Sequence, residues 1–94
     1  MSTVGGSPAG APVVTLVGKP DCQLCDVARQ VVASVCGERA VPWHEVHLAD
    51  DPALAAEYAD LIPVVLIDGE HHAHWRIWPE DLSAALIARE EPGL

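Results

Sequence analysis

Apolar positions divide the first half of the chain into a strand and a helix. A β-branched run at residues 13–17 predicts a buried strand, which Gly18 and Pro20 end. Beyond it the apolar residues recur at spacings of three and one, the pattern of one helix face. That face holds Leu24, Val27, Ala28, Val31, Val32, Val35 and Cys36. We expect this helix to end at Gly37, because a glycine is favoured as the left-handed cap residue.

The second half of the chain shows shorter elements. Residues 41–48 mix apolar and polar side chains and contain a proline, which favours an edge strand. Asp51 before Pro52 predicts the N-cap and the first position of a short helix. The apolar run 64–67 predicts a central strand, and the Asp68-Gly69 pair after it predicts a hairpin turn.

The last strand and helix complete the order of elements. We place the antiparallel partner of the central strand at residues 74–77 and begin the last helix at Pro79, where two acidic residues favour the helix dipole. The order is strand, helix, strand, helix, strand, strand, helix, which predicts an α/β fold with a four-stranded mixed sheet and helices on both faces. Residues 1–12, rich in Gly, Pro, Ser and Ala, are expected to form a disordered tail, so that the domain spans residues 13–94.

Composition and charge restrict the classes of function. The chain has 94 residues, enough for one domain, and a formal net charge of −9 with only five Lys and Arg. This balance argues against nucleic acid or an anionic membrane surface as a partner. No apolar run approaches the length of about 18 residues that a membrane span needs, and the N-terminal residues lack the features of a signal peptide. We therefore expect a cytoplasmic monomer.

Two cysteines three residues apart, Cys22 and Cys25, hold the most informative chemistry. Three cysteines in all are too few for a secreted disulfide scaffold, and a CxxC motif between a strand and a helix is typical of thiol redox sites. Neighbouring positions on a helix face suit a disulfide. Unpaired N–H groups and the dipole at the helix start favour a thiolate at Cys22, and Lys19 adds positive charge. Cys22 is therefore predicted to be the thiol that attacks a substrate disulfide, and Cys25 the thiol that resolves the mixed disulfide.

Other residues leave alternatives open. Cys36 follows Cys25 by about 16 Å of helix axis, so we interpret it as a buried apolar side chain. His72 and His74 lie two apart in a predicted strand and could bind a metal on one face. The predicted hairpin would place His71 and His72 about 15 Å from the thiols, too far for one metal to bridge both sets. Half a zinc site at the cysteines, or a separate histidine site, would make the protein a metal carrier instead.

The stretch from Lys19 to Cys25, the dipeptide Ile62-Pro63 before the third strand and the order of elements together resemble the thioredoxin fold. Within that fold the chain is similar to the glutaredoxin-like family, over about residues 13–89. It looks most like small bacterial members with a Cys-x-Leu-Cys-Asp motif. The resemblance implies a cis Ile62–Pro63 peptide packed against the CxxC turn, and it matches Asp81 to the acidic pair of the family. The substrate-binding residues it suggests are Ile62, Pro63, Trp78 and Asp81.

Two departures from the family concern the substrate. Gln23-Leu24 stands inside the motif where glutaredoxins usually have Pro-Tyr, and Ile77-Trp78-Pro79 stands where they have Gly-Gly. Glycine beside a ligand lets the backbone approach closely, so the bulky residues are expected to close or reshape a glutathione site. We expect Trp43 to pack against the rest of the fold, and Trp75 and Trp78 to be buried or half-buried. Of these two, Trp78 is the better candidate for a surface that faces substrate.

The resemblance implies a thiol–disulfide oxidoreductase that needs no cofactor beyond its two thiols. Its substrate would be a disulfide-bearing protein or a small thiol, and its electron donor a reductase or a low-molecular-weight thiol such as glutathione or mycothiol. Mycothiol is considered as a thiol because the composition, with no Phe and eight Pro, suggests a GC-rich actinobacterial source. The alternative is a non-enzymatic thioredoxin-fold binding module or a metal carrier that uses the CxxC motif and the histidines.

Overall fold

The computed structural model describes residues 12–90, and the order of its elements is the predicted one. The predicted tail lies outside the described residues except for Pro12, which is buried. None of the helices in the described range is both long and apolar enough to cross a membrane. The elements are β1 Val14–Gly18, α1 Gln23–Arg39, β2 Trp43–His47, a 3₁₀ turn Leu48–Asp50, α2 Pro52–Tyr58, β3 Val64–Ile67, β4 Glu70–His74 and α3 Pro79–Glu90.

The four strands form one mixed sheet in the order β2-β1-β3-β4. β1 is parallel to β2 and antiparallel to β3, which is antiparallel to β4. α1 and α3 pack together on one face, over a core that includes Leu16, Val32 and Leu86. α2 covers the other face, where Tyr58 meets Val64. The predicted mixed sheet, the edge position of β2 and the helices on both faces are confirmed.

The prediction that α1 ends at Gly37 is wrong. The helix continues to Arg39, and Ala40 takes the left-handed conformation with φ of 56°. The backbone N–H of Val41 donates to the carbonyl of Cys36 at 2.9 Å, and Val41 is buried. This is the hydrogen bond of a Schellman cap, in which an apolar residue after the helix packs back onto it. The apolar anchor at Val41 therefore decides where the helix ends.

The position predicted for the fourth strand is also wrong. It lies at Glu70–His74, whereas residues 75–78 form an irregular loop. Asp68 and Gly69 both have positive φ, 54° and 83°, as the tightest hairpin turns require. Ile67 consequently pairs directly with Glu70. The strand begins at once after the turn even though its residues are polar, because an edge strand with one exposed face tolerates them.

The apolar stripe of α1 is only partly a core face. Ala28, Val32, Val35 and Cys36 are buried as predicted, but Leu24 and Val27 are 45% and 53% exposed. Trp75 and Trp78, expected in the interior or half-buried, are each 53% exposed, whereas Trp43 packs against the core. Apolar side chains at the start of α1 and in the loop after β4 thus remain on the surface.

Candidate active site

Three loops meet at one end of the strands. Val17, next to the last residue of β1, pairs with Val64 at the start of the antiparallel β3. The CxxC turn after β1 and the residues before β3 therefore lie at the same end of the sheet. The Ile62–Pro63 peptide there is cis, which confirms the expectation. The backbone N–H of Trp75 donates to the Pro63 carbonyl at 2.8 Å and ties the loop after β4 to the same place.

Cys22 and Cys25 form a disulfide across the first turn of α1, with their Cα atoms 5.1 Å apart. Cys22 is the N-cap residue, and its Sγ accepts a hydrogen bond from the backbone N–H of Cys25 at 3.1 Å. Asp21 has a φ of 57°, which turns the chain sharply into the helix. Cys22 is partly exposed and Cys25 is fully buried. One sulfur is therefore accessible to a substrate, and the other lies behind it.

Gly18 lies against the buried sulfur. A methyl group on this residue would lie 3.1 Å from Cys25 Sγ, closer than most side-chain contacts, and 3.4 Å from Cys25 Cβ. From the sequence, Gly18 was predicted only to end a strand. The position favours glycine, because with any larger residue Cys25 must shift by a few tenths of an ångström.

A charged network lies near Gly18. Arg29 donates two hydrogen bonds to Glu45 of β2, at 2.8 and 2.7 Å, and a third to Asp26 at 2.7 Å. His47 Nε2 lies 3.2 Å from Glu45 Oε2, and Glu45 Oε2 lies 4.0 Å from the position of that methyl group on Gly18. This network joins α1 to the edge strand at the level of Cys25.

The hydrogen bonds of the network shift the pKa values of Glu45 and Arg29 in the directions that keep both groups charged. Arg29 lowers the pKa of Glu45, and the carboxylates of Glu45 and Asp26 raise the pKa of Arg29. The pair therefore stays charged at neutral pH. Sequence reasoning missed it, because Arg29 and Glu45 are sixteen residues apart and only the tertiary fold places β2 beside the first turns of α1.

An open apolar groove begins at Leu24, inside the CxxC motif. Its volume is about 180 Å³, and it runs between the exposed side of α1 and the loop that joins β4 to α3. Its lining comprises Leu24, Val27, Ala28, Val31, Trp75, Arg76, Ile77, Trp78 and Pro79. Four of the five large apolar side chains that are exposed in the described part of the chain line this groove. Arg76 is the charged residue in the lining.

Two further predicted site residues are charged and exposed. Lys19 is exposed in the turn before Cys22. Asp81 is exposed in the first turn of α3 and raises the pKa of His72, against the stronger lowering caused by burial of that imidazole. His72 Nε2 is buried without a hydrogen-bond partner. The thiolate-stabilising role of Lys19 and the binding role of Asp81 stay predictions.

The alternative of a metal bound by His72 and His74 on one strand face does not fit the register of β4. A bulge leaves His72 without a residue opposite it on β3 and places His71 beside His74. Within residues 12–90, no three side chains of His, Cys, Asp or Glu converge as a set of metal ligands.

The sheet order, the three helices and the CxxC turn define the class of protein, because this arrangement is the thioredoxin fold. A solved thioredoxin variant from Halobacterium salinarum superposes with a TM-score of 0.69 at 17% identity, covering 88% of this chain and 78% of the thioredoxin. The structure of protein XcR50 from X. campestris has a TM-score of 0.65 at 31% identity, covering 79% of this chain and 95% of that one.

Within this class, residues 13–87 match the glutaredoxin-like domain (DUF836), and the chain belongs to that family. An uncharacterised protein of Mycobacterium tuberculosis is 30% identical over 87 residues, which cover 87% of this chain and 89% of the relative. Family membership and the disulfide-forming cysteine pair together support a redox role.

Proposed function

We propose that this protein is a thiol–disulfide oxidoreductase that reduces disulfides of proteins or of low-molecular-weight thiols. The observation that carries the proposal is the asymmetry of the Cys22–Cys25 pair. The partly exposed sulfur caps a helix start, where backbone N–H groups favour a thiolate, and the buried sulfur lies directly behind it. A purely structural disulfide has no need of a sulfur that is both accessible and placed at a helix N-terminus.

The reaction consists of two exchanges. The Cys22 thiolate attacks one sulfur of the substrate disulfide, the substrate S–S bond breaks, and the sulfur that leaves as a thiolate takes up a proton. Cys25 then loses its proton and attacks Cys22 Sγ, which releases the second substrate thiol and forms the Cys22–Cys25 bond. Two electrons pass to the substrate. A reductase or a thiol supplies two electrons to return the protein to its dithiol form.

The apolar groove supports a protein disulfide as the preferred substrate. It starts at Leu24, and Trp75 and Trp78 extend it along the loop after β4. In glutaredoxins, which this chain resembles, glycines stand at the positions of Ile77 and Trp78 and allow glutathione to approach the backbone. Here Ile77 is buried and Trp78 stands out from the surface. Such walls suit apolar side chains that flank a substrate cysteine. Binding roles for Ile62, Pro63 and Asp81 are part of the same proposal.

Trapping tests the proposed reaction directly. Cys25→Ser is expected to hold a substrate on Cys22 as a mixed disulfide, because the second exchange has lost its nucleophile. The trapped species is measured by non-reducing electrophoresis and mass spectrometry after incubation with an unfolded disulfide-bearing protein. The Cys22→Ser/Cys25→Ser double variant is the matched control. Equal trapping by the control, or trapping on Cys36, would contradict the assignment of Cys22.

The groove predicts the order of substrates. We expect slow turnover with glutathione disulfide and faster turnover with a protein disulfide, with mycothiol and a thioredoxin-reductase system compared as electron donors.

Trp75→Ala combined with Trp78→Ala should lower kcat/KM for the protein disulfide by about tenfold, which corresponds to about 1.4 kcal/mol of lost contact. Turnover of the small disulfide should change much less, and Ile87→Ala, an exposed apolar residue outside the groove lining, is the control. Efficient saturable turnover with glutathione alone would show that the groove does not select the substrate.

A further inference from the structure

Two imidazoles meet on the surface of β4. His71 Nε2 and His74 Nδ1 lie 2.8 Å apart, so that one nitrogen donates a hydrogen bond and the other accepts it. The rings have centroids 5.0 Å apart and are tilted by 49°. His71 is exposed and His74 is partly exposed, so that solvent reaches the pair.

A β-bulge creates this pair. His71 is the partner of Leu66 and Ala73 is the partner of Val65, which leaves His72 as an extra residue between them. Without the extra residue, side chains three apart in a strand would point to opposite faces of the sheet. With it, His71 and His74 share the face of Leu66 and Val64, their partners on β3. The bulge therefore converts an unfavourable spacing into two neighbouring nitrogen atoms.

The surroundings restrain one of the two rings. The His74 ring packs edge-on against the Trp75 ring, with centroids 4.8 Å apart and planes at 86°. The Trp75 indole N–H in turn donates to the carbonyl of Asp60 at 3.1 Å. A ring held in this way loses less conformational entropy when it binds a ligand.

We propose that His71 and His74 form a binding site for a divalent transition-metal ion of the copper and nickel class, independent of the dithiol. Imidazole nitrogens bind such ions at about 2.0 Å, and the affinity of nitrogen sites for divalent ions is highest for copper and lower for nickel and zinc. The two nitrogens lie 2.8 Å apart, so a rotation of the rings lets both reach one ion. On binding, the ring that donated the hydrogen bond changes tautomer, so that its proton lies on its other nitrogen and both facing nitrogens offer lone pairs to the metal. Water completes the coordination. The net charge of −9 raises the local concentration of cations.

A metal titration of the intact, oxidised protein tests this site, because Cys22 and Cys25 are then joined and Cys36 is buried. CuCl₂, NiCl₂ and ZnCl₂ are added in a non-chelating buffer, with calorimetry for stoichiometry and tryptophan fluorescence for position. We expect one Cu²⁺ per chain, quenching that Trp75→Phe largely removes, and affinities in the order copper, nickel, zinc. Electron paramagnetic resonance of the copper form should show two nitrogen ligands.

Variants locate the binding. The double variant His71→Ala/His74→Ala should bind Cu²⁺ at least tenfold more weakly, with an unchanged circular dichroism spectrum because both substitutions lie on an edge strand. His44→Ala is the matched control, since His44 is an exposed histidine on the opposite edge strand, and it should bind like the wild type. Unchanged copper affinity in the double variant would overturn the site. Zinc bound more tightly than copper would overturn the assignment to the copper and nickel class.

Discussion

Cys22→Ser is expected to lower disulfide reductase activity by more than about a thousandfold, because the variant loses the nucleophile of the first exchange. The side chain lies at a helix start and outside the core, so the fold should persist. The measurement is steady-state reduction of a protein disulfide, with thermal unfolding in parallel. Stability is compared with the reduced wild type, since the short Cys22–Cys25 loop itself contributes about 2 kcal/mol when it is closed.

Cys36→Ser separates loss of the nucleophile from loss of a thiol in general. Burial raises the pKa of the Cys36 thiol to about 11, so at neutral pH this cysteine stays protonated and unreactive. The variant should keep its activity and lose about 1–3 kcal/mol of stability, because a hydroxyl replaces a buried apolar group.

In the reduced wild type, iodoacetamide should modify Cys22 before Cys25 and Cys36. If Cys22→Ser reduced disulfides as fast as the wild type, the oxidoreductase proposal would fail, and a binding module with an incidental dithiol would be the better explanation.

Local signals in the sequence predicted the elements that local physics decides. The spacing of apolar residues in α1, the Asp51-Pro52 start of α2 and the apolar run of β3 each depend on neighbours within one or two turns. The position of the CxxC motif between a strand and a helix follows from the same patterns. The cis peptide at Pro63 was implied by resemblance alone, because the residues around a proline do not determine its isomer.

Tertiary contacts decided what the sequence could not predict. Leu24 and Val27 continue the apolar stripe of α1, yet they face the loop after β4 and line the groove instead of the core. Periodicity identifies an apolar face but not what covers it. The Arg29–Glu45 pair and the His71–His74 pair likewise depend on strand register, and the bulge in β4 leaves no clear mark in a polar sequence.

Gly18→Val is expected to lower the free energy of unfolding by about 1–3 kcal/mol, because the new side chain overpacks the space held by Cys25. Its first carbon would lie 3.1 Å from Cys25 Sγ, and the two further methyl groups of valine increase the crowding. The clash opposes the better strand propensity of valine and exceeds it, since Cys25 is fully buried and its helix is fixed by the packing of α1 on the sheet. Urea unfolding of the reduced and the oxidised protein measures the effect.

The same substitution should slow the second exchange, because it displaces the sulfur that must attack Cys22. Single-turnover reduction of a protein disulfide is expected to accumulate the mixed disulfide in Gly18→Val, whereas the wild type passes through it quickly. Gly37→Ala is the matched control: a methyl group there meets no atom within 4 Å, so it should stabilise α1 by about 0.5–1 kcal/mol through helix propensity and leave the exchange rate unchanged. Opposite signs of the stability change at the two glycines, with slow resolution only at Gly18, would establish that β1 positions the resolving cysteine. Wild-type stability and wild-type resolution in Gly18→Val would show that Cys25 can move aside, and the close approach would then have no part in catalysis.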